Sequence, residues 1–224
     1  MKASAQVSKA PTYIEEDRLQ AQGYRLIAGI DEAGRGPLAG PVVAGAVMLP
    51  CDRRPAWLDK VRDSKMLAPL ERERLFDCIR GDTLPVGLGI VTHDAIDRIG
   101  IAAATRLAMR KAIEDMPIRP EFLLIDFVRL PSVPLPQKSI VNGDALCLSI
   151  AAASIVAKVT RDRIMLELDR QYPGYGMARH KGYATPEHLE CLRRVGPCAI
   201  HRRTFAPVYE VCSAPAREWR EVFG

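Results

Sequence analysis

Apolar positions along this chain fall into short unbroken runs that alternate with longer stretches of helical period, the pattern of a layered α/β domain. Residues 26–31, 42–49, 86–91 and 122–125 are apolar runs that read as buried strands. A fifth strand is expected over 137–141, entered through the proline-rich connection 131–136. Residues 69–79 predict a helix that starts on Pro69 and sets Leu70, Leu75, Phe76 and Ile79 on one face. Residues 94–115 predict a helix in two pieces divided near Gly100, and 186–195 predict another. The longest helix is expected over 149–172, its small residues letting it lie close on the sheet. The first twenty or so residues read as a flexible leader without a core contribution. This order of elements gives layers around a mixed sheet but does not choose a strand order. A doubly wound nucleotide-binding fold is disfavoured, because no strand-to-helix turn carries Gly-x-Gly-x-x-Gly and no phosphate loop ends in Lys-Ser/Thr.

The first strand ends in two carboxylates, Asp31 and Glu32, followed at once by Ala33-Gly34-Arg35-Gly36-Pro37. A buried strand ends in two acids only where a cation compensates them. The glycine turn offers backbone amides beside a cationic side chain, which suits a phosphate or a sugar. Carboxylates for metal beside amides for phosphate point to metal-assisted phosphodiester chemistry. A lone Asp-Glu pair more often marks a surface strand end, and the attached Gly-Arg-Gly-Pro turns the balance here. Asp126 closes the fourth strand and can meet Asp31 only if the two strands are neighbours. Convergent acids repel unless cations bind, and hard oxygen ligands select Mg²⁺ or Mn²⁺ over zinc. Asp144 follows the turn signal Asn142-Gly143, so it reads either as a site acid or as a cap on the next helix. Asp162 and Asp169 lie within the long helix and read as surface or ion-paired groups.

Composition sharpens this only in part. A formal charge of +5 over 224 residues weakly favours polyanionic partners. Distribution says more: Arg179, His180, Lys181, Arg193, Arg194, His201, Arg202 and Arg203 crowd the later chain, the footprint of a nucleic-acid backbone or else a solvated helix face. Six scattered cysteines include no Cys-x-x-Cys pair and read as reduced thiols. Without a secretory leader or an apolar run long enough to span a bilayer, the chain is expected to be cytoplasmic, monomeric and free of membrane.

Further blocks extend the pattern: Asp63-Ser64-Lys65-Met66-Leu67, Leu123-Leu124-Ile125-Asp126, Asn142-Gly143-Asp144, the run 149–162, Tyr172-Pro173-Gly174-Tyr175-Gly176, His180-Lys181-Gly182-Tyr183, and the run 201–208. In order and spacing this set resembles bacterial ribonuclease HII, a type 2 ribonuclease H, over residues 24–208. The resemblance implies an RNase H-like α/β fold, with a five-stranded mixed sheet flanked by helices and a helical C-terminal extension. The expected organisation is a leader over 1–22, a catalytic domain over 23–209 and a tail over 210–224. It also implies a metal-dependent endonuclease that cuts the RNA strand of RNA–DNA hybrids. The same enzyme would cut 5′ to single ribonucleotides in duplex DNA, leaving 5′-phosphate and 3′-hydroxyl ends. Asp31, Glu32, Asp126 and Asp144 would be its catalytic acids and the ligands of two Mg²⁺ or Mn²⁺ ions. Gly34, Arg35 and Gly36 would read the ribose, with glycine permitting the main-chain approach that a Cβ would block. Tyr183 would pack on the sugar beside the ribonucleotide, and Lys65, Lys158, Arg161 and Lys181 would contact phosphates. Lys158 and Arg161 are equally placed to pair with Asp162.

Two positions depart from the family pattern. Phe127 stands where Gly usually follows the acid, and Asn142 where the turn usually reads Lys-Gly-Asp. Phe127 is expected either to narrow the approach to the metal or to point into the core, and Asn142 to remove a nearby positive charge. Ribonuclease HIII is the nearest enzymatic alternative, but too few residues precede Ala28 for the separate N-terminal domain expected of it. A non-catalytic hybrid binder would gain nothing from four concentrated acids.

Overall fold

The computed structural model describes residues 10–82 and 84–213. Five strands, β1 (Ile27–Ala33), β2 (Val42–Met48), β3 (Val86–Val91), β4 (Phe122–Asp126) and β5 (Gln137–Ile140), form one sheet in the order β3-β2-β1-β4-β5. The β1–β2 and β2–β3 pairs are antiparallel, whereas β1–β4 and β4–β5 are parallel. Strand β1 runs two residues beyond its expected end, so both acids lie within the ladder, Asp31 opposite Gly45 and Glu32 opposite Ala44.

Helices cover both faces. The first four are α1 (Ile14–Ala21), α2 (Pro69–Gly81), α3 (His93–Ile99) and α4 (Ile101–Glu114). Five more follow: α5 (Gly143–Leu146), α6 (Leu148–Gln171), α7 (Met177–His180), α8 (Pro186–Val195) and α9 (Ala206–Ser213). Gly100 takes φ +77 between α3 and α4, which divides that helix where expected. Helix α4 packs with Ala28, Ile30, Leu123 and Ile125 on one face of the sheet. On the opposite face α6 lies close to β1: a Cβ on Gly29 would sit 2.1 Å from the Ser149 carbonyl carbon, so only glycine admits the helix there.

Two expectations need correction. Leu70 is 64% exposed and lies outside the apolar face of α2, which buries Arg72 along with Leu75, Phe76 and Ile79. Residues 14–21 form a helix that does contribute to the core, with Leu19 packed beside Ile27, Leu124, Cys147 and Ile150. The buried Glu16 carboxylate accepts from the Ser149 amide at 2.7 Å, capping α6 from another element. Helix α9 runs across the boundary expected near residue 209, and residues 214–224 of the tail lie outside the described residues. Among the described residues all six cysteines are free thiols, and no helix is long and apolar enough to cross a membrane.

Candidate active site

Side chains alternate along a strand. Gly29 faces α6 and Leu124 packs with Ile150 of that helix, so Asp31 and Asp126 fall on the same face. The parallel register pairs Ile30 with Ile125, setting the two acids side by side just beyond the end of the β1–β4 ladder. What sequence left open, whether the strands are neighbours, is settled by topology.

Asp31 is 5% exposed, with Oδ1 accepting from the Glu32 amide at 2.7 Å. Burial, followed by the negative fields of Glu32 and Asp126, pushes its pKa well above the carboxylate range. Burial also raises Glu32, against the pull of Arg35, whose Nη1 lies 3.3 Å from Glu32 Oε1. The other Glu32 oxygen, Oε2, is buried with no hydrogen-bond partner. Asp126 is raised by burial, partly offset by the Gly143 amide, which donates to its Oδ1 at 2.7 Å.

Asp144 does not cap a helix from outside. It lies within α5, after the left-handed Asn142 (φ 55), and its Oδ2 meets Lys65 Nζ at 3.1 Å. Burial opposes the Lys65 charge, but Asp144, Asp63 and Asp31 outweigh it and raise its pKa. Lys65 thus supplies beside Asp144 a positive charge that Asn142 cannot. Its segment is held by Arg72, which donates to the Ser64 carbonyl at 2.6 Å, and by Ser154 Oγ, which accepts from the Ser64 amide at 3.3 Å.

An open cleft of about 260 Å³ is lined by Asp31, Glu32, residues 33–36, Ser64, Lys65, Asp126, Lys158 and Tyr183. The acids fit a divalent cation chemically: all are hard oxygen donors, their mutual repulsion is only partly offset by Arg35 and Lys65, and one buried oxygen lacks any partner. Among the described residues they do not form a closed cage of three ligands, and Arg35 and Lys65 already engage two of them. A cation entering here competes with those two side chains.

The glycine turn is built by two arginines, Arg161, which the resemblance placed among the phosphate contacts, and Arg202, which the sequence placed in the basic footprint. Arg161 is wholly buried; its Nε, Nη1 and Nη2 donate to the carbonyls of Pro41, Lys181 and Ala39 at 2.9, 3.0 and 3.1 Å. Arg202 is buried likewise and donates to Gly40, Arg35 and Gly34 at 3.0, 2.9 and 2.6 Å. Neither guanidinium can reach a ligand's phosphate, so both are corrected from substrate contacts to braces. Burial, then the neighbouring Arg161, pushes Arg202 down to about 9, still charged at neutral pH. Gly34 (φ +95) leaves room for Arg161: a Cβ there would meet its Nε at 2.0 Å. Of the two cations placed to pair with Asp162, Lys158 does so at 2.6 Å, while the Arg161 guanidinium is taken up by the three carbonyls.

Tyr183 is 43% exposed, and a Cβ on Gly36 would sit 3.8 Å from its ring. Its backbone carbonyl accepts from His188 Nδ1 at 2.9 Å, and His188 Nε2 lies 3.0 Å from His201 Nε2. A carbonyl can only accept, so His188 carries its proton on Nδ1 and His201 donates from Nε2. Burial, then His188, pushes His201 down to about 4, which keeps this relay neutral. His180 is buried too, so the basic footprint shrinks to its exposed arginines. The Lys181 ammonium bonds the Ala178 carbonyl and does not line the cleft. Phe127 corrects one of the two expectations for it: it is 62% exposed and so does not point into the core, and its φ of +52 explains why glycine suits that position.

Solved structures place this arrangement in a class. The ribonuclease H2 from Pyrococcus horikoshii OT3 superposes with a TM-score of 0.68 at 29% identity, covering 87% of this chain and 99% of that one. The fold is also that of Bst-RNase HIII in complex with Mn²⁺, with a TM-score of 0.62 at 20% identity, over 87% of this chain and 71% of that one. The molecule therefore has a ribonuclease H-type fold. The Ribonuclease HII family model matches residues 28–208. Curated relatives named Ribonuclease HII include one from Dehalococcoides mccartyi strain BAV1, 57% identical over 88% of this chain and 93% of the relative. Another, from Geobacillus kaustophilus, is 56% identical over 89% of this chain and 75% of the relative. The chain belongs to the ribonuclease HII family.

Proposed function

We propose that this chain is an endonuclease that hydrolyses the RNA strand of RNA–DNA hybrids and cuts 5′ to single ribonucleotides in duplex DNA. It would leave 5′-phosphate and 3′-hydroxyl ends. The observation that carries this reading is the pairing of Asp31 and Asp126 across parallel neighbours, beside a glycine turn and an exposed tyrosine. Asp31, Glu32, Asp126 and Asp144 would hold two Mg²⁺ or Mn²⁺ ions. When bound, such ions activate water and offset charge on the leaving oxygen. Lys65 and Lys158 orient the phosphate from the cleft wall. Residues Gly34, Arg35 and Gly36 approach the ribose with main-chain groups, and the 2′-hydroxyl is the atom that separates RNA from DNA. Tyr183 packs on the adjoining deoxyribose.

Gly36→Ala tests the turn cleanly, because in the free protein its methyl meets only ordinary contact with Tyr183. The methyl is expected to hold the sugar off and lower cleavage by about 10²-fold without lowering the melting temperature. Tyr183→Ala is expected to reduce cleavage of a single embedded ribonucleotide more than cleavage of a long hybrid, where several registers are available. Both variants are compared with wild type on the two substrates; equal losses for Tyr183→Ala would leave that ring a packing residue.

A further inference from the structure

Phe127 sits where neither backbone nor packing calls for an aromatic. Its φ of +52 lies in the left-handed region, which a bulky residue occupies at a cost and glycine does not. The conformation is fixed from both sides: the Phe127 amide donates to Ile140 at 2.9 Å, and the Val128 amide closes onto Asp126 at 2.5 Å. Yet the side chain is 62% exposed and recovers little by burial. A strained, exposed aromatic directly after a site acid points to an external contact. It is not isolated. Met66, next to Lys65, and Val141, next to the Asn142–Gly143–Asp144 turn, are 66% and 63% exposed.

Topology fixes the direction. From β1 the glycine turn leads back to β2, and Tyr183 stands over that turn. Phe127 leaves β4 beside β5, on the other side of β1. The acids are therefore flanked by one exposed aromatic on each side. Phosphates gain nothing from a ring beside clustered carboxylates, whereas sugars offer apolar C–H surface and unstacked bases offer π surface.

We propose that Phe127 is a substrate-contacting residue whose ring packs on a sugar or an unstacked base of the bound duplex, on the side of the acids away from Tyr183. This rests on the reading of the site as a duplex-cutting nuclease. It makes the departure from glycine a gain of binding surface at the cost of local strain. Val141, which follows the Ile140 that accepts from the Phe127 amide, adds exposed apolar surface beside it.

The test separates strain from contact. Phe127→Gly and Phe127→Asn relieve the left-handed backbone, and Phe127→Trp keeps an aromatic. Thermal unfolding is measured for each, and affinity for a fluorescein-labelled DNA duplex with one ribonucleotide is read by anisotropy on an Asp126→Asn background over a salt series. Phe127→Gly and Phe127→Asn are expected to melt no lower than the parent, yet to bind about tenfold more weakly, while Phe127→Trp binds like the parent. The salt slope should stay that of the parent, because no phosphate contact is lost. Affinity of Phe127→Gly within about twofold of the parent, or a slope flattened by about one unit, would overturn the proposal and leave the exposed rim to some other partner. Failure of the wild type to cut the same duplex with Mg²⁺ or Mn²⁺ would instead overturn the nuclease reading, and this proposal with it.

Discussion

Asp126→Asn is expected to keep the fold and to lower cleavage by about 10³-fold or more, because the change is nearly isosteric but removes a charge that holds a cation. Metal-free stability should hold or rise. The sign follows from burial, which raises the folded pKa of Asp126 above its unfolded value. A raised carboxyl binds its proton more tightly in the folded state, so stability is lost as pH climbs from the unfolded pKa through the folded one. Asparagine cannot ionise. The stability advantage of the variant should therefore grow across that window and level off above it. Melting curves from pH 4 to 8 in chelator, with single-turnover rates in saturating Mg²⁺, check both halves. Near-normal rates would remove Asp126 from the site.

Arg202→Met should be the most damaging change outside the acids. It deletes three donors to the carbonyls of Gly34, Arg35 and Gly40 and leaves the Gly34 and Gly40 acceptors buried. Each unsatisfied group costs about 1–3 kcal/mol, so a loss of about 3–5 kcal/mol is expected, roughly 10 °C in melting temperature for a chain of this size. The turn that Arg202 shapes should also drift, and a misplacement near 1 Å costs about 10²-fold in rate. Arg202→Lys should rescue little, since one ammonium cannot reproduce the planar fork. Wild-type activity on a hybrid with lowered stability would confine Arg202 to packing.

The elements that sequence revealed are those whose signal is local. Apolar runs ending in Asp31 and Asp126, Pro69 and Pro186 opening helices, and Gly100 dividing one all follow from neighbours along the chain. Asp31, Glu32 and Asp126 stood out because carboxylates at the ends of apolar runs demand a counter-charge, whereas Asp144 after a turn signal read equally as a cap. Burial of cations was not legible. Arg202 stands between His201 and Arg203, and nothing in that run distinguishes a brace from a phosphate contact. Arg161 did leave a trace: it continues the four-residue stripe Ala153, Ala157, Arg161, Met165, every member of which is fully buried. Helix α1 has no apolar period; its buried residues are Leu19 and Glu16, and Glu15 and Asp17 add ion pairs to Lys138 and Arg54. The convergence of Asp31 with Asp126 depended on strand order, a tertiary fact.

The central claim is that these acids serve a nuclease that recognises ribonucleotides by their sugar. It is tested most directly by mapping the cut in an end-labelled DNA duplex carrying one ribonucleotide, with Mg²⁺, with Mn²⁺ and with chelator, beside an all-DNA duplex. The expected result is a metal-dependent nick on the 5′ side of the ribonucleotide, leaving a 3′-hydroxyl, with no product in chelator and none from the all-DNA control. Nicks scattered through DNA, or an intact ribonucleotide duplex with either metal, would contradict it.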